Sequence, residues 1–288
     1  MIVAIASGKG GTGKTTLAVN LARVADRPVL LLDCDVEEPN AHLFLGGEVR
    51  DRRPVGILVP EVDEARCDAC GECGRVCAYH AIVAFGTIPL VFPELCHGCG
   101  GCAHACPRGA IREVPRRIGE VETRVAGSVT LVTGRLDVGA PSAPPVIRAV
   151  RTARADGGLV IIDAPPGTAC AMVAAVRDAD VAVLVTEPTP FGLHDLELAA
   201  TAVRELGVPF GVVINRAGDD DRVRRWCARE GVPVLLEIPD DRRVAEACAR
   251  GALMVDAVPE YRPLLDGLFS RLAALAPAAA AARTEAAP

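Results

Sequence analysis

The segment Gly8-Lys9-Gly10-Gly11-Thr12-Gly13-Lys14-Thr15 has the composition of a phosphate cradle. Its spacing is G-x-x-x-x-G-K-[ST]. In that pattern glycines let backbone N–H groups approach phosphate oxygens, a lysine meets the terminal phosphates, and a hydroxyl ligates magnesium. Lys14 and Thr15 take the last two roles, and Thr16 adjoins them at the loop's end. Lysine usage is a second, independent sign. Among 31 Lys and Arg residues only two are lysines, Lys9 and Lys14, and both lie in this loop. Arginine replaces lysine everywhere except where a compact ammonium must fit among phosphate oxygens. A chance glycine-rich turn would explain the glycines but not the lysines.

The cysteines form the other chemical pattern. Cys67, Cys70, Cys73 and Cys77 give C-x2-C-x2-C-x3-C, and Cys96, Cys99, Cys102 and Cys106 repeat it 29 residues later, followed by Pro107. Ala81-Ile82 and Ala110-Ile111 share that offset, so the two units are an internal repeat. Three cysteines in one tight run suit the corner of a cubane iron–sulfur cluster, whereas structural zinc sites use separated C-x-x-C pairs. The repeat resembles a bacterial two-cluster ferredoxin. That resemblance assigns Cys67, Cys70, Cys73 and Cys106 to one [4Fe–4S] cluster and Cys96, Cys99, Cys102 and Cys77 to a second. Ala78 stands where the motif usually has proline, which loosens the turn but removes no ligand. His80, His97 and His104 lie among the cysteines and are expected at the surface or in support, since four thiolates per cluster are already supplied.

Two acidic segments follow strand-like apolar runs. Asp33-Cys34-Asp35-Val36-Glu37-Glu38-Pro39-Asn40 ends Val29–Leu32, and Asp163-Ala164-Pro165-Pro166-Gly167 ends Leu159–Ile162. Alone, the first would read as an Asx-rich turn. With the loop K-G-G-T-G-K-T, they resemble the MinD/ParA/Mrp/nitrogenase-iron-protein class of ATPases with a deviant phosphate loop. The resemblance implies that Lys9 acts across a dimer interface on the partner's nucleotide. It makes Asp35 the residue that orients the attacking water and places Asp33 near magnesium. Asp163 becomes the acid that holds magnesium through water, and Gly167 the sensor of the terminal phosphate. Asn215-Arg216, after Phe210–Ile214, would read the adenine edge, and the loop around Pro239 would cover the base. Cys170 has the offset of a cluster cysteine in the nitrogenase iron protein, but no matching upstream cysteine exists, so a small buried thiol is expected there. Cys227 and Cys248 are expected to pack on helices.

These residues need elements to hold them. Ile2–Ala6 reads as a buried strand, and Leu17, Leu21 and Val24 share a helix face. Further strands are expected at 28–33, 55–59, 158–163, 180–186, 210–214 and 233–238. A hairpin is expected around Gly127, from 118–124 and 128–133, and residues 41–54 read as an irregular loop. Helices are expected over 141–155, 193–206, 220–230, 240–250 and 259–275. Strands alternating with helices give an α/β fold with a parallel sheet. The family resemblance makes it a P-loop NTPase of SIMIBI type, built from residues 1–62 and 113–288, with a ferredoxin-like α+β domain, 63–112, inserted. The Ala/Pro tail from 277 reads as disordered.

Composition narrows the function. The net charge is −6, which argues against nucleic acid as a partner. No apolar run reaches the length of a membrane helix, and no signal peptide is visible, so a cytoplasmic location is expected. Twelve cysteines in such a chain point to metal rather than disulfides. The expected cofactors are ATP, Mg2+ and two [4Fe–4S] clusters. The expected partners are a second subunit, identical or paralogous, in an ATP-dependent dimer, and a redox protein. The first functional reading is ATP-driven electron transfer. The alternative is an iron–sulfur cluster carrier of Mrp type, although no C-x-x-C pair follows Cys106. A spatial-organisation ATPase ranks last, because the C-terminal tail is not a basic amphipathic helix.

Overall fold

The computed structural model describes residues 1–86, 88–153 and 158–285, with side chains described as far as residue 276. The chain begins with β1 (Ile2–Ala6), α1 (Lys14–Val24), β2 (Val29–Asp33), α2 (Ala41–Leu45) and β3 (Glu48–Val62). The cysteine repeat then contributes α3 (Glu72–Val76), β4 (Ile82–Val83), β5 (Leu90–Val91) and α4 (Gly101–Ala105). After it come β6 (Ile111–Ala126), β7 (Val129–Leu136), α5 (Pro144–Arg151), β8 (Leu159–Asp163) and α6 (Cys170–Val176). The rest is β9 (Val181–Thr186), α7 (Pro190–Glu205), β10 (Phe210–Ala217), α8 (Arg222–Glu230), β11 (Val234–Pro239), α9 (Arg242–Ala249), α10 (Met254–Ala257) and α11 (Arg262–Glu285).

Nine strands form one sheet in the order β11-β10-β9-β1-β8-β2-β7-β6-β3. From β11 to β7 every pairing is parallel, and β6 and β3 add an antiparallel edge. Short apolar runs such as VLLLD are buried on both faces, as crossover helices demand. Leu30 and Leu32 face a core with Ile147, Met172, Leu196 and Val223 of α5 to α8, while Leu31 faces one with Leu17 and Leu21 of α1 and Leu268 of α11.

The stretch after β2 differs from the sequence reading. Residues 41–54 are not an irregular loop: they hold α2, and β3 runs for 15 residues. The composition hides this strand because EVRDRRPVGILVPEV carries charges and two prolines. Those residues suit an edge, where one side of the backbone needs no partner and charge discourages association. The hairpin around Gly127 forms as read, with β6 and β7 paired from Gly119↔Leu136 to Ala126↔Val129. β6 is longer than expected, and its first residues, 111–118, pair with β3 alone. A two-stranded ribbon therefore leaves the sheet, and the cysteine repeat sits between its ends. Val59 and Val114 of the ribbon pack against Ala81, Cys77 and Cys96.

Residues 277–285, where disorder was read, carry the helical backbone of α11. Residues 286–288 lie outside the described residues, as does the end of the helix expected over 141–155.

Val62 and Ile111 face each other as the last pair of the ribbon. Replacing residues 63–110 by an Asn-Gly turn should therefore close a regular hairpin. The shortened chain should melt cooperatively and bind Mg-ADP as the full chain does. A molten or insoluble product would show that the cysteine segment is needed to fold the sheet.

Candidate functional site

The phosphate loop joins the end of β1 to the start of α1, and two of its glycines are required by close contacts. A Cβ on Gly8 would stand 2.1 Å from the Asp195 carbonyl oxygen. Gly13 has φ +95°, and a Cβ there would meet Asn215 Nδ2 at 2.5 Å. That amide donates to Thr12 O at 2.8 Å, so the end of β10 clamps the loop. Gly10 and Gly11 look onto open space, where phosphate oxygens would lie. Lys14 is 6% exposed. Burial lowers its pKa, while Asp163 and Asp35 pull it back up.

Asp33 and Asp163 are both fully buried and directly opposite each other in the β2–β8 register. Asp33 spends both oxygens on the backbone, accepting from Asp35 N at 3.3 Å and Ala41 N at 3.2 Å. Burial, then the Asp163 charge, drives its pKa well up. Neither oxygen of Asp163 has a hydrogen-bond partner. Burial pushes this carboxyl up to about 7, against the Thr15 hydroxyl and the Lys14 ammonium beside it. Thr15 favours the ionised form without making a well-formed hydrogen bond to either oxygen. An orphaned buried carboxylate beside a hydroxyl and a phosphate-seeking lysine is a hard oxygen donor set, and magnesium fits it. Asp33 enters that site indirectly, as the anchor of the segment after β2. On that segment Asp35 is partly buried, with its pKa raised by burial and lowered by Lys14.

Beside the loop lies a cavity of about 160 Å3. The expected residues Gly11, Gly13, Thr16, Asn215, Arg216 and Pro239 all line it. Asp241, Cys248 and Met254 line it too, from α9, α10 and the loop before them. Cys248 is thus not a packing residue. Its sulfur faces Thr16 Oγ1 at 3.9 Å. A lone cysteine on an amphipathic helix gives no sign of this in the sequence. Cys227 is buried on α8, as expected, and Cys34 is buried. Cys170 is exposed at the start of α6, where a buried thiol was expected, because the helix buries the face that carries Met172, Ala175 and Val176. Gly167 donates to Ser7 O at 3.0 Å, which holds the segment after β8 against the end of β1.

One residue of this site was missed. Glu187, just past β9, is 7% exposed. It accepts from Lys9 Nζ at 3.1 Å and from Arg216 Nη1 at 2.7 Å. Its position at the carboxyl end of the strand beside β1 was the available sign.

The cysteines separate into two sets of four. Cys67, Cys70, Cys73 and Cys106 line one cavity, and Cys77, Cys96, Cys99 and Cys102 line another. Burial raises the Cys73 pKa, with further upward pushes from Cys106 and Cys67, and Cys102 feels Cys96 and Cys99 in the same way. Among the described residues, no three His, Cys, Asp or Glu side chains draw together as closely as a single metal ion requires. Eight thiols in two sets of four are the donor set of two cubane clusters, so the residues fit that group. Backbone N–H groups of Ala81, Gly98 and Ala110 point at Cys77, Cys96 and Cys106 Sγ at 3.3, 3.4 and 3.3 Å. Ala81 and Ala110 occupy equivalent places in the repeat. Of the histidines, His97 lines the second cavity with its ring stacked on Tyr79, the centroids 3.6 Å apart.

Residues 3–254 match the CobQ/CobB/MinD/ParA nucleotide binding domain. The chain belongs to this family. It is therefore a P-loop ATPase of MinD/ParA type. An uncharacterised protein of Methanocaldococcus jannaschii is 30% identical over 256 residues, spanning 87% of this ATPase and 90% of its own length. An iron-sulfur cluster carrier protein of Pyrococcus abyssi is 24% identical over 274 residues, covering 88% and 78%. The cell division ATPase MinD of Pyrococcus furiosus superposes with a TM-score of 0.58 at 23% identity, over 93% of this ATPase and 98% of that chain. MinD of Pyrococcus horikoshii with Mg-ADP gives 0.55 at 22%, over 93% of both. The ATPase has no helix, among the described residues, long and apolar enough to cross a membrane.

The Asp163 shift sets a pH dependence. A carboxyl that holds its proton more tightly when folded stabilises the fold at low pH, and that contribution is lost as pH rises from the unfolded value of about 4 to the folded value of about 7. The nucleotide- and metal-free protein should lose melting temperature between pH 5 and pH 8 more steeply than Asp163→Asn does. Mg-ADP should stabilise the wild type more at pH 8 than at pH 5. Parallel slopes for the two proteins would mean that Asp163 ionises freely.

Proposed function

We propose that this ATPase couples nucleotide-driven dimer closure to electron transfer through two [4Fe–4S] clusters, with residues 63–112 as a ferredoxin-like unit. What supports the reading most is the sorting of eight cysteines into two cavities of four, each matching the crossed pattern of a two-cluster ferredoxin. Bound clusters would supply one-electron chemistry. The N–H groups of Ala81, Gly98 and Ala110 would stabilise the negative sulfurs and so help set the potentials.

In the nucleotide site Lys14 meets the terminal phosphates, and Thr15 and Asp163 hold magnesium. Asp35 orients water, and Gly167 follows the terminal phosphate. Asn215, Arg216 and Pro239 enclose the base. Lys9 leaves Glu187 and reaches the partner's nucleotide when the dimer closes. The second subunit is a copy of this chain or a paralogue: Methanocaldococcus jannaschii holds several relatives, two of them 30% and 29% identical to this chain. A redox protein receives or supplies the electrons.

A second reading, cluster delivery, is favoured by the relatives named iron-sulfur cluster carriers in three Pyrococcus species. In that case iron would leave the protein for an apo-acceptor on ATP turnover. Under electron transfer it would stay.

Anaerobic purification should yield about eight irons and matching sulfide per chain. A zinc-loaded protein with no reducible EPR signal would remove the cluster assignment. Coupling between the two units is reciprocal, so reduced and oxidised protein should differ in ATP affinity by several-fold to about a hundredfold, a coupling of ~1–3 kcal/mol. Lys14→Ala serves as the blank for nucleotide binding. Lys9→Ala should bind ATP yet neither dimerise nor turn over, and Asp35→Asn should bind ATP but hydrolyse it slowly. Equal affinities in the two redox states would mean that the cysteine unit does not communicate with the nucleotide.

A further inference from the structure

A polar cavity of about 260 Å3 lies at the antiparallel edge of the sheet, away from the nucleotide cavity. This is below the usual size of a drug-like ligand site, so an occupant would be small. Strand pairing builds it. Arg52 stands opposite Glu122, Glu122 opposite Thr133, and Glu120 opposite Arg135, so these side chains share one face. Arg124 shares that face two residues beyond Glu122, and His42 joins the cavity from α2.

The acceptors in this cavity are spent. Glu122 accepts from Arg52 on one oxygen and from Arg124 on the other. Glu120 is turned to Arg117, 3.2 Å away. The donors are not spent. Thr133 is 5% exposed, and its hydroxyl has no partner. His42 Nδ1 is buried and also without one. Arg135 makes no ion pair among the described residues, although Glu120 faces it across the strands. Water could satisfy the two orphaned atoms. It would not balance three guanidinium groups against two carboxylates, one of which is shared with Arg117.

We propose that this cavity binds a small, multiply charged oxyanion, held by the Arg135 guanidinium, the Thr133 hydroxyl and an N–H of His42. Inorganic phosphate and a short dicarboxylate share this chemistry. Burial, then Arg124 and Arg135, hold the pKa of His42 down, and an anion would relieve that repulsion. The site adjoins the nucleotide machinery. Thr133 lies opposite Asp33 in the β2–β7 register, and Ala41, the residue before His42, donates to Asp33.

The test uses the full chain saturated with Mg-ADP, so that the phosphate loop is filled. Inorganic phosphate and malonate are titrated separately at constant ionic strength, with chloride as the control. Binding is read by calorimetry and by the ring resonances of His42. One or both anions should bind saturably and shift the His42 ring, and which of them does so identifies the anion class. Losing one charge-assisted contact in Arg135→Ala, or the hydroxyl in Thr133→Val, should weaken binding about tenfold or more while ADP affinity is unchanged. Arg135 is exposed on its strand, so its variant should fold even if Thr133→Val does not. No saturable binding beyond chloride, or equal affinity in Arg135→Ala, would overturn the proposal.

Discussion

Two carboxylates buried side by side are the constraint around which the nucleotide site is built. Asp33 and Asp163 end adjacent strands, in register and out of water. Neither can ionise cheaply beside the other. The chain resolves the conflict asymmetrically. Asp33 receives two backbone N–H groups, which fix it in place. Asp163 receives none and stands beside the Lys14 ammonium and the Thr15 hydroxyl. Its ionised form is therefore uncomfortable until a cation arrives, and the energy stored in that desolvation is available to magnesium binding. The same two N–H groups tie the segment carrying Asp35 to the strand end. The unpartnered carboxyl of Asp163 and the position of Asp35 are consequently set by one pair of strands.

The antiparallel edge carries this arrangement outward. Asp163 faces Asp33, Asp33 faces Thr133, Thr133 faces Glu122, and Glu122 faces Arg52. A line of polar residues thus crosses the sheet from Asp163 to β3, on the face that α1 and α2 cover. β3 and β6 then leave the sheet together as the ribbon that holds the cysteine segment. Paired strands transmit displacement better than a flexible linker of the same length, because their backbone hydrogen bonds fix the register. A route by which nucleotide state could bias the cysteine unit is therefore built of regular structure.

Much of this was legible in the sequence, for identifiable reasons. The phosphate loop, Asp163 and the eight cysteines are short-range patterns whose chemistry fixes their spacing, so they read directly. The central strands read because they are buried on both faces and carry unbroken apolar runs. Only the second half of β3 read, as the strand expected at 55–59, since the charged first half of an edge strand has the composition of a loop. α2 did not, because its position depends on Ala41 N finding Asp33, eight residues upstream. Glu187, Cys248 and the polar cavity did not, because their meaning lies in partners far apart in sequence. Lys9 and Glu187, for example, are 178 residues apart. The internal repeat was the easiest of all: an identical offset at four cysteines and again at two apolar residues leaves little room for coincidence.

The Lys9–Glu187 pair shows how a closing movement could begin without a large penalty. Removing one partner from a buried ion pair normally leaves an uncompensated charge, which is strongly destabilising. Glu187 avoids this by having two cationic partners, one on each oxygen. Were Lys9 to leave, Arg216 would still face the carboxylate. Arg216 is held in place by its own backbone, with φ at +52°, a conformation that a long side chain adopts only when its surroundings impose it. The side chain of its neighbour Asn215 accepts from Arg216 N while donating to Thr12 O in the phosphate loop. The loop, the base cavity and the counter-charge of Lys9 are therefore joined through two consecutive residues at the end of β10.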